Sequence, residues 1–148
     1  MSMEELLDKE MDLISSEDVR MLCSERSGPC VSIYMPTHRV WSERNQDRIQ
    51  FKTLLSRAAD QLVRAGYADA DALLADAKEL LKGDPGFWRH QADTLAVFIG
   101  PGEFHRFRLP ATLEERVRVG DTFHVRPLVQ LLAGSGRFHA LSLSRGRV

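Results

Sequence analysis

A change of apolar period, early in the chain, limits the folds open to it more than any other feature. Residues 30–35, Cys-Val-Ser-Ile-Tyr-Met, are β-branched and aromatic with a repeat of two, and Pro36 stops them, which reads as a strand. The repeat then becomes helical. Phe51, Leu55, Ala58 and Leu62 recur at separations of 4, 3 and 4 residues, predicting a long helix from about 42 to 65 that Gly66 closes. Ala70, Leu73, Leu74, Ala77, Leu80 and Leu81 form a second apolar stripe, predicting a helix over 70–82 with Gly83 as its stop. The short link from Gly66 to Asp69 makes the two helices an antiparallel pair. A strand followed by a pair of helices needs further strands to bury its faces, so the chain must build a sheet covered by helices.

The remaining elements supply that sheet. Ser15 and Ser16 ahead of Glu17 and Asp18 give an N-cap with first-turn acids, and Val19, Leu22 and Cys23 follow at helical spacing, so a short helix should end near Ser27-Gly28-Pro29. Residues 1–10 read as a weaker helix or an arm. Asp84-Pro85-Gly86 is a turn, and 94–99 reads as a strand apolar on both faces, inside the sheet and between layers. Trp88 is expected to pack beneath the start of that strand. Gly100-Pro101-Gly102 permits a tight reversal into a strand over 103–109, and Arg116-Val117-Arg118-Val119 alternates as a half-exposed strand. Pro127 suits the first turn of a helix running to about Ala133, Gly134-Ser135-Gly136 breaks it, and 138–143 reads as a final strand. The fold class is therefore mixed α/β. It holds one sheet of about four to five strands, with right-handed crossovers wherever neighbouring strands run parallel.

Composition agrees with one globular domain over 1–148: 43% of residues are hydrophobic and 28% charged, and no repeat or low-complexity tract is present. A chain of this size buries enough surface to fold without staples. Cys23 and Cys30 are seven residues apart and could close a small loop if they faced each other. Without a secretory leader, two free thiols are the expected state, and the location is cytoplasmic. No apolar run approaches the ~20 residues of a bilayer span, so no membrane association is expected. The net charge of −1 excludes a strongly basic nucleic-acid binder as a whole, but the charge is unevenly spread. Residues 1–30 and 65–103 net −5 and −4, whereas 31–64 and 104–148 net +3 and +5.

Candidate chemistry is thin. His38, His90, His105, His124 and His139 stand singly, with no zinc-type spacing, so neither a metal nor another cofactor is expected. Gly100-Pro101-Gly102 lacks the dinucleotide fingerprint and leads into a strand, and Gly134-Ser135-Gly136 follows a helix, unlike a nucleophile elbow. No catalytic residue is assigned. A small hydrolase would need a pocket gathering His38, His90 or His124 with a carboxylate or a thiol. The clearest surface feature is basic: Arg44, Arg48 and Lys52 at i, i+4 and i+8 line one face of the long helix, with Arg39 just before it. Such a row suits phosphates, and it equally suits a solvated helix face balanced by Glu43 and Asp47. Tyr34 and Trp41 are the nearby aromatics that could stack on bases, or else belong to the core.

Three strings together resemble a known family. They are Gly28 to Arg39 (Gly-Pro-Cys-Val-Ser-Ile-Tyr-Met-Pro-Thr-His-Arg), Phe87-Trp88-Arg89-His90-Gln91 leading to Leu95-Ala96-Val97-Phe98, and Val119-Gly120-Asp121-Thr122-Phe123-His124 with Pro127-Leu128. In order and spacing, over roughly residues 15–148, they resemble the N-terminal domain of the bacterial archaeo-eukaryotic release factor family. The resemblance implies an α/β domain followed by a middle and a C-terminal domain, acting on the ribosome in termination, rescue or dormancy. The chain is accordingly expected to be the N-terminal fragment of a longer protein, with those domains, the ribosome, and ribosomal or transfer RNA as partners. In the cellular release factors this domain enters the decoding site. Here the codon-reading Asn-Ile-Lys-Ser and the hydrolytic Gly-Gly-Gln are both absent, so neither stop-codon reading nor peptidyl-tRNA hydrolysis is expected. The alternative is an interaction module that docks neighbouring domains or a protein partner, which would show an apolar patch of several hundred Å².

Overall fold

Ser15 opens the first helix with a capping box: its hydroxyl accepts the Asp18 N–H at 3.1 Å and Asp18 accepts the Ser15 N–H at 2.8 Å. Helix α1 (Ser16–Leu22) follows, then strand β1 (Cys30–Pro36). The computed structural model describes residues 14–38, 44–82, 87–88 and 91–134. Its further elements are α2 (Arg44–Arg64), α3 (Ala70–Leu73), α4 (Ala75–Lys82), β2 (Thr94–Gly100), β3 (Glu103–Leu109), β4 (Arg116–Gly120) and α5 (Arg126–Gly134). The sequence-predicted elements recur here within a few residues at their ends, except that α1 stops at Leu22, well before Gly28. The 1–10 arm, the turn at 84–86 and the strand at 138–143 lie outside the described residues.

The four strands form one sheet in the order β3-β2-β1-β4, with every neighbouring pair antiparallel. Parallel neighbours, the condition for a right-handed crossover, therefore occur nowhere among the described strands, and the reason is geometric. A single helix between two strands returns the chain to the end where the first strand began and makes them parallel. Here α2 runs back and α3 with α4 runs forward again, so β2 starts where β1 ends, with Pro36 opposite Thr94 and Val31 opposite Ile99.

Helix α2 is antiparallel to α4, since Arg48 near the start of the one bonds Leu81 near the end of the other. The single helix predicted over 70–82 is two pieces. Leu74, with φ −88° and ψ 2°, leaves helical geometry, although its N–H still reaches Ala70 and its carbonyl still accepts from Lys78. The apolar stripe runs through the break because the hydrogen-bond ladder does.

The two faces of the sheet carry two cores. Val31, Ile33 and Met35 of β1 and Leu95, Val97 and Ile99 of β2 meet Phe51, Leu54, Leu55, Ala58 and Leu62 of α2, together with Leu74, Ala77 and Trp88. The intervening residues, Cys30, Tyr34, Ala96 and Phe98, meet Val19 and Leu22 of α1 and Leu128 and Leu132 of α5. A strand buried on both faces at the centre of three layers explains why 94–99 carries no polar alternation. Trp88 packs against Phe51 with ring centroids 5.6 Å apart and donates its indole N–H to Leu80, as expected of a residue beneath the sheet.

Three contacts fix the loops. The β2–β3 hairpin turns on Pro101 and Gly102, whose φ of +72° suits a type II turn. Gly28 passes so close to that turn that a Cβ would sit 2.4 Å from Pro101 Cγ. The buried Thr94 hydroxyl donates to Ala111 and accepts from the Leu113 N–H, pinning the chain as it crosses from one sheet edge, β3, to the other, β4.

After α1, the Arg26 guanidinium donates to both oxygens of Glu103 at 2.6 and 3.0 Å, to the Met21 and Leu22 carbonyls, and lies over the Phe123 ring. One side chain therefore caps the C-terminus of α1 and ties it to β3. Cys23 is exposed and Cys30 buried, and both are free thiols, so no disulfide joins them.

Candidate nucleic-acid interface

Helix α2 turns Phe51, Leu54, Leu55, Ala58 and Leu62 into the core, which leaves positions 48 and 52 on its outer flank beside α4. Arg48 and Lys52 are both exposed there. Of the other two residues in the predicted row, Arg44 begins α2, with only its backbone position described, and Arg39 lies outside the described residues.

Between α2 and α4 runs a groove of about 750 Å³. Arg48 and Lys52 line it from one side, and Lys78 and Lys82 from the other. Its floor is apolar, made by Leu55, Ala59 and Leu81. The two lysines of α4 were not part of the sequence-derived row, because only the antiparallel pairing of the helices sets them opposite it.

The four cations are not equivalent. Arg48 Nε donates to the Leu81 carbonyl at 2.9 Å, so it satisfies one of the acceptors left open at the C-terminal end of α4, as the Trp88 indole does for Leu80. Lys78 pairs with Asp71 at 2.8 Å, and that hydrogen bond holds the Asp71 carboxyl below its ordinary range. Asp60 also lines the groove. Lys52 and Lys82 have no ion pair among the described residues. The groove is therefore cationic where Arg48, Lys52 and Lys82 meet, and mixed where Asp60, Asp71 and Lys78 do.

Asp47 does not balance this row. It is buried, at 2% exposure, and accepts the His38 backbone N–H at 2.9 Å and bonds His38 Nδ1 at 2.6 Å. The pair ties the exit of β1 to the first turn of α2. It is also the one histidine–carboxylate pairing among the three histidines checked for hydrolase chemistry that falls within the described residues: His124 has no carboxylate partner there, and His90 lies outside.

A nucleophile of the cysteine type gains nothing from this pair. Burial is the main cause pushing both thiols above their ordinary pKa, and Cys30 Sγ faces the carbonyls of Gly28 and Asp121. Among the described residues no group of three or more His, Cys, Asp or Glu side chains is placed to hold a metal ion. Tyr34 is fully buried, with its ring edge-on to Phe98 and its hydroxyl on the His124 carbonyl, so it belongs to the core and offers no face for a base to stack on. Trp41 lies outside the described residues.

The large exposed apolar side chains among the described residues are Ile49, Val63 and Val129. Fourteen helical steps lead from Ile49 to Val63, or roughly 21 Å, and Val129 stands on α5, across the sheet, so they form no common patch. No described helix is long and apolar enough to cross a membrane. No protein-family model matches the chain, and no curated protein matches it either.

Proposed function

We propose that this chain is a non-catalytic domain that binds RNA phosphates, acting in the cytoplasm on the ribosome or on ribosomal or transfer RNA within a larger release-factor-like protein. The observation that carries the reading is the convergence of Arg48 and Lys52 from one helix with Lys82 from its neighbour at one end of an open groove. A lone basic row on one helix is ordinary solvated surface. Cations brought together from two helices repel one another, and a polyanion relieves that repulsion. The apolar groove floor lets ribose and base surfaces lie against it while the phosphates meet the rim. The place in termination, rescue or dormancy comes from the resemblance of the three sequence strings to release-factor N-terminal domains.

The test is co-sedimentation of the protein with ribosomes over a salt series, comparing the wild type with Lys52→Glu/Lys82→Glu. These two lysines have no ion pair among the described residues, so their reversal should leave the fold intact. Each phosphate contact contributes about 0.7 to the slope of log affinity against log salt for single-stranded RNA, so the double variant should lose affinity and about 1.4 of slope. Binding insensitive to salt, or unchanged in the double variant, would overturn the assignment to this groove.

A further inference from the structure

Strand β4 alternates Arg116 and Arg118 with Val117 and Val119. The valines pack into the core shared with α2, so the arginines face the other side of the sheet, opposite Tyr34 and Ser32 of β1. There they meet His124 and the start of α5 at Arg126. The backbone of His124 is held from both sides by β1: its N–H donates to Ser32 Oγ at 2.8 Å and its carbonyl accepts the Tyr34 hydroxyl. The His124 ring stands edge-on to Tyr34, with centroids 6.1 Å apart.

Acidic compensation is sparse. Arg116 pairs with the exposed Glu114 at 3.1 Å, but Arg118 and Arg126 have no acidic partner among the described residues. Two positions along an extended strand put the two β4 arginines roughly 6.7 Å apart on one face. Arg126 adds its charge at a helix N-terminus whose first turn has no acid, where the helix dipole already disfavours a cation.

We infer that Arg116, Arg118, His124 and Arg126 form a second phosphate-binding surface, on the sheet face opposite the α2–α4 groove, whose ligand is the phosphodiester backbone of RNA. The choice of RNA as the polyanion rests on the reading above, whereas the surface itself stands on its own residues. A cation on an edge strand also discourages edge-to-edge aggregation. That role accounts for Arg116 and Arg118, but not for Arg126 or for the histidine fixed between them.

The titration of His124 agrees with this geometry. Burial is the first cause that holds its imidazole below the ordinary histidine range, followed by Arg118, Arg116 and Arg126. The charged groups facing it are those arginines, from β4 and α5, and Tyr34 faces it from β1. A bound phosphate would offset the arginines, raise the imidazole pKa and so bind more tightly as the pH falls through that interval.

The experiment is fluorescence anisotropy with a labelled, unstructured single-stranded RNA 12-mer at several salt concentrations, using the wild type, Arg118→Glu/Arg126→Glu and Lys52→Glu/Lys82→Glu. Circular dichroism checks the fold, and Arg118→Gln/Arg126→Gln replaces the reversal if that variant fails to fold. The expected result is at least a tenfold loss for the arginine variant at low salt and a salt slope lower by about 1.4. In the wild type, the His124 imidazole resonance should also titrate at higher pH with RNA than without. Unchanged affinity and slope in the arginine variant would overturn the surface, as would a wild type that does not bind the RNA. If the arginine variant loses affinity while the lysine variant binds normally, the groove reading fails and this surface stands.

Discussion

Replacing Arg26 by Ala removes one side chain from three tasks at once. It deletes the two-point contact with Glu103, the donors to the Met21 and Leu22 carbonyls at the end of α1, and the cation over Phe123. The side chain of Arg26 is 11% exposed and that of Glu103 25%. Breaking a fully buried pair by removing one partner costs about 3–5 kcal/mol, and an exposed pair about 0–1 kcal/mol. Glu103 regains some water and keeps its bond to His105 Nε2 at 2.8 Å, which lowers the loss. The lost carbonyl contacts raise it again. The expected destabilisation is about 2–4 kcal/mol, seen as a fall in Tm of roughly 5–15 °C.

The pH dependence supplies a second readout. The hydrogen bond from Arg26, and after it the one from His105, holds the Glu103 carboxyl below its ordinary value. A carboxyl whose folded pKa is depressed contributes stability that is fully present above its unfolded value of about 4.3, and that is lost as the pH falls through the lower folded value. Urea denaturation should therefore show the wild type losing more stability than Arg26→Ala as the pH drops below about 4.3. A double-mutant cycle with Glu103→Gln isolates the pair. A coupling energy under about 0.5 kcal/mol, or a single variant as stable as the wild type, would refute the account of Arg26 as the tie between α1 and β3.

Tyr34→Phe should cost about 1–2 kcal/mol in urea denaturation, because it leaves the His124 carbonyl without its buried donor. Burial raises the Tyr34 phenol far above its ordinary value, so in an ultraviolet pH titration that tyrosine should ionise only as the fold is lost. Arg48→Met should cost about 0.5–1.5 kcal/mol through the uncapped Leu81 carbonyl, measured by thermal melting, whereas Lys52→Glu/Lys82→Glu should melt like the wild type.

The element order was legible because each segment carries its own period: two for β1 and β4, helical for α2 and for the stripe from Ala70 to Leu81. Sheet topology was legible only in part. The short link at 66–69 already makes two helices antiparallel, and an even number of helix lengths between β1 and β2 forces those strands antiparallel. The link gives the helix pair, whereas the strand order β3-β2-β1-β4 depends on long-range pairing that no local period records. The basic row on α2 could be read because helical spacing alone aligns 48 with 52. Lys82 could not, since its place depends on the pairing of α2 with α4. The β4 and α5 cluster was harder still, joining residues from the strand register, a loop and a helix start. Its traces in the sequence are the alternation of Arg116 and Arg118 with valines and the +5 net charge of residues 104–148.

A net charge of −1 is the strongest sequence argument against a polyanion partner, and the structure weakens it. Net charge sets the field at a distance, whereas a polyanion within about a Debye length responds to the local distribution of surface charge. Several of the acids make hydrogen bonds within the molecule and lie away from Lys52, Lys82, Arg118 and Arg126. Asp18 closes the cap of α1, Asp47 is buried against His38, and Glu115 accepts from Gln50 at 2.7 Å while meeting Arg57 only at 3.7 Å. Glu103 is matched by Arg26 in a largely buried pair that presents little field outward. Lys52, Lys82, Arg118 and Arg126 have no such counterpart among the described residues. Exposed acids such as Glu17, Asp69, Asp76 and Glu79 keep the total near neutral, so positive charge is gathered only locally, at Lys52 and Lys82 on one side of the sheet and at Arg118 and Arg126 on the other.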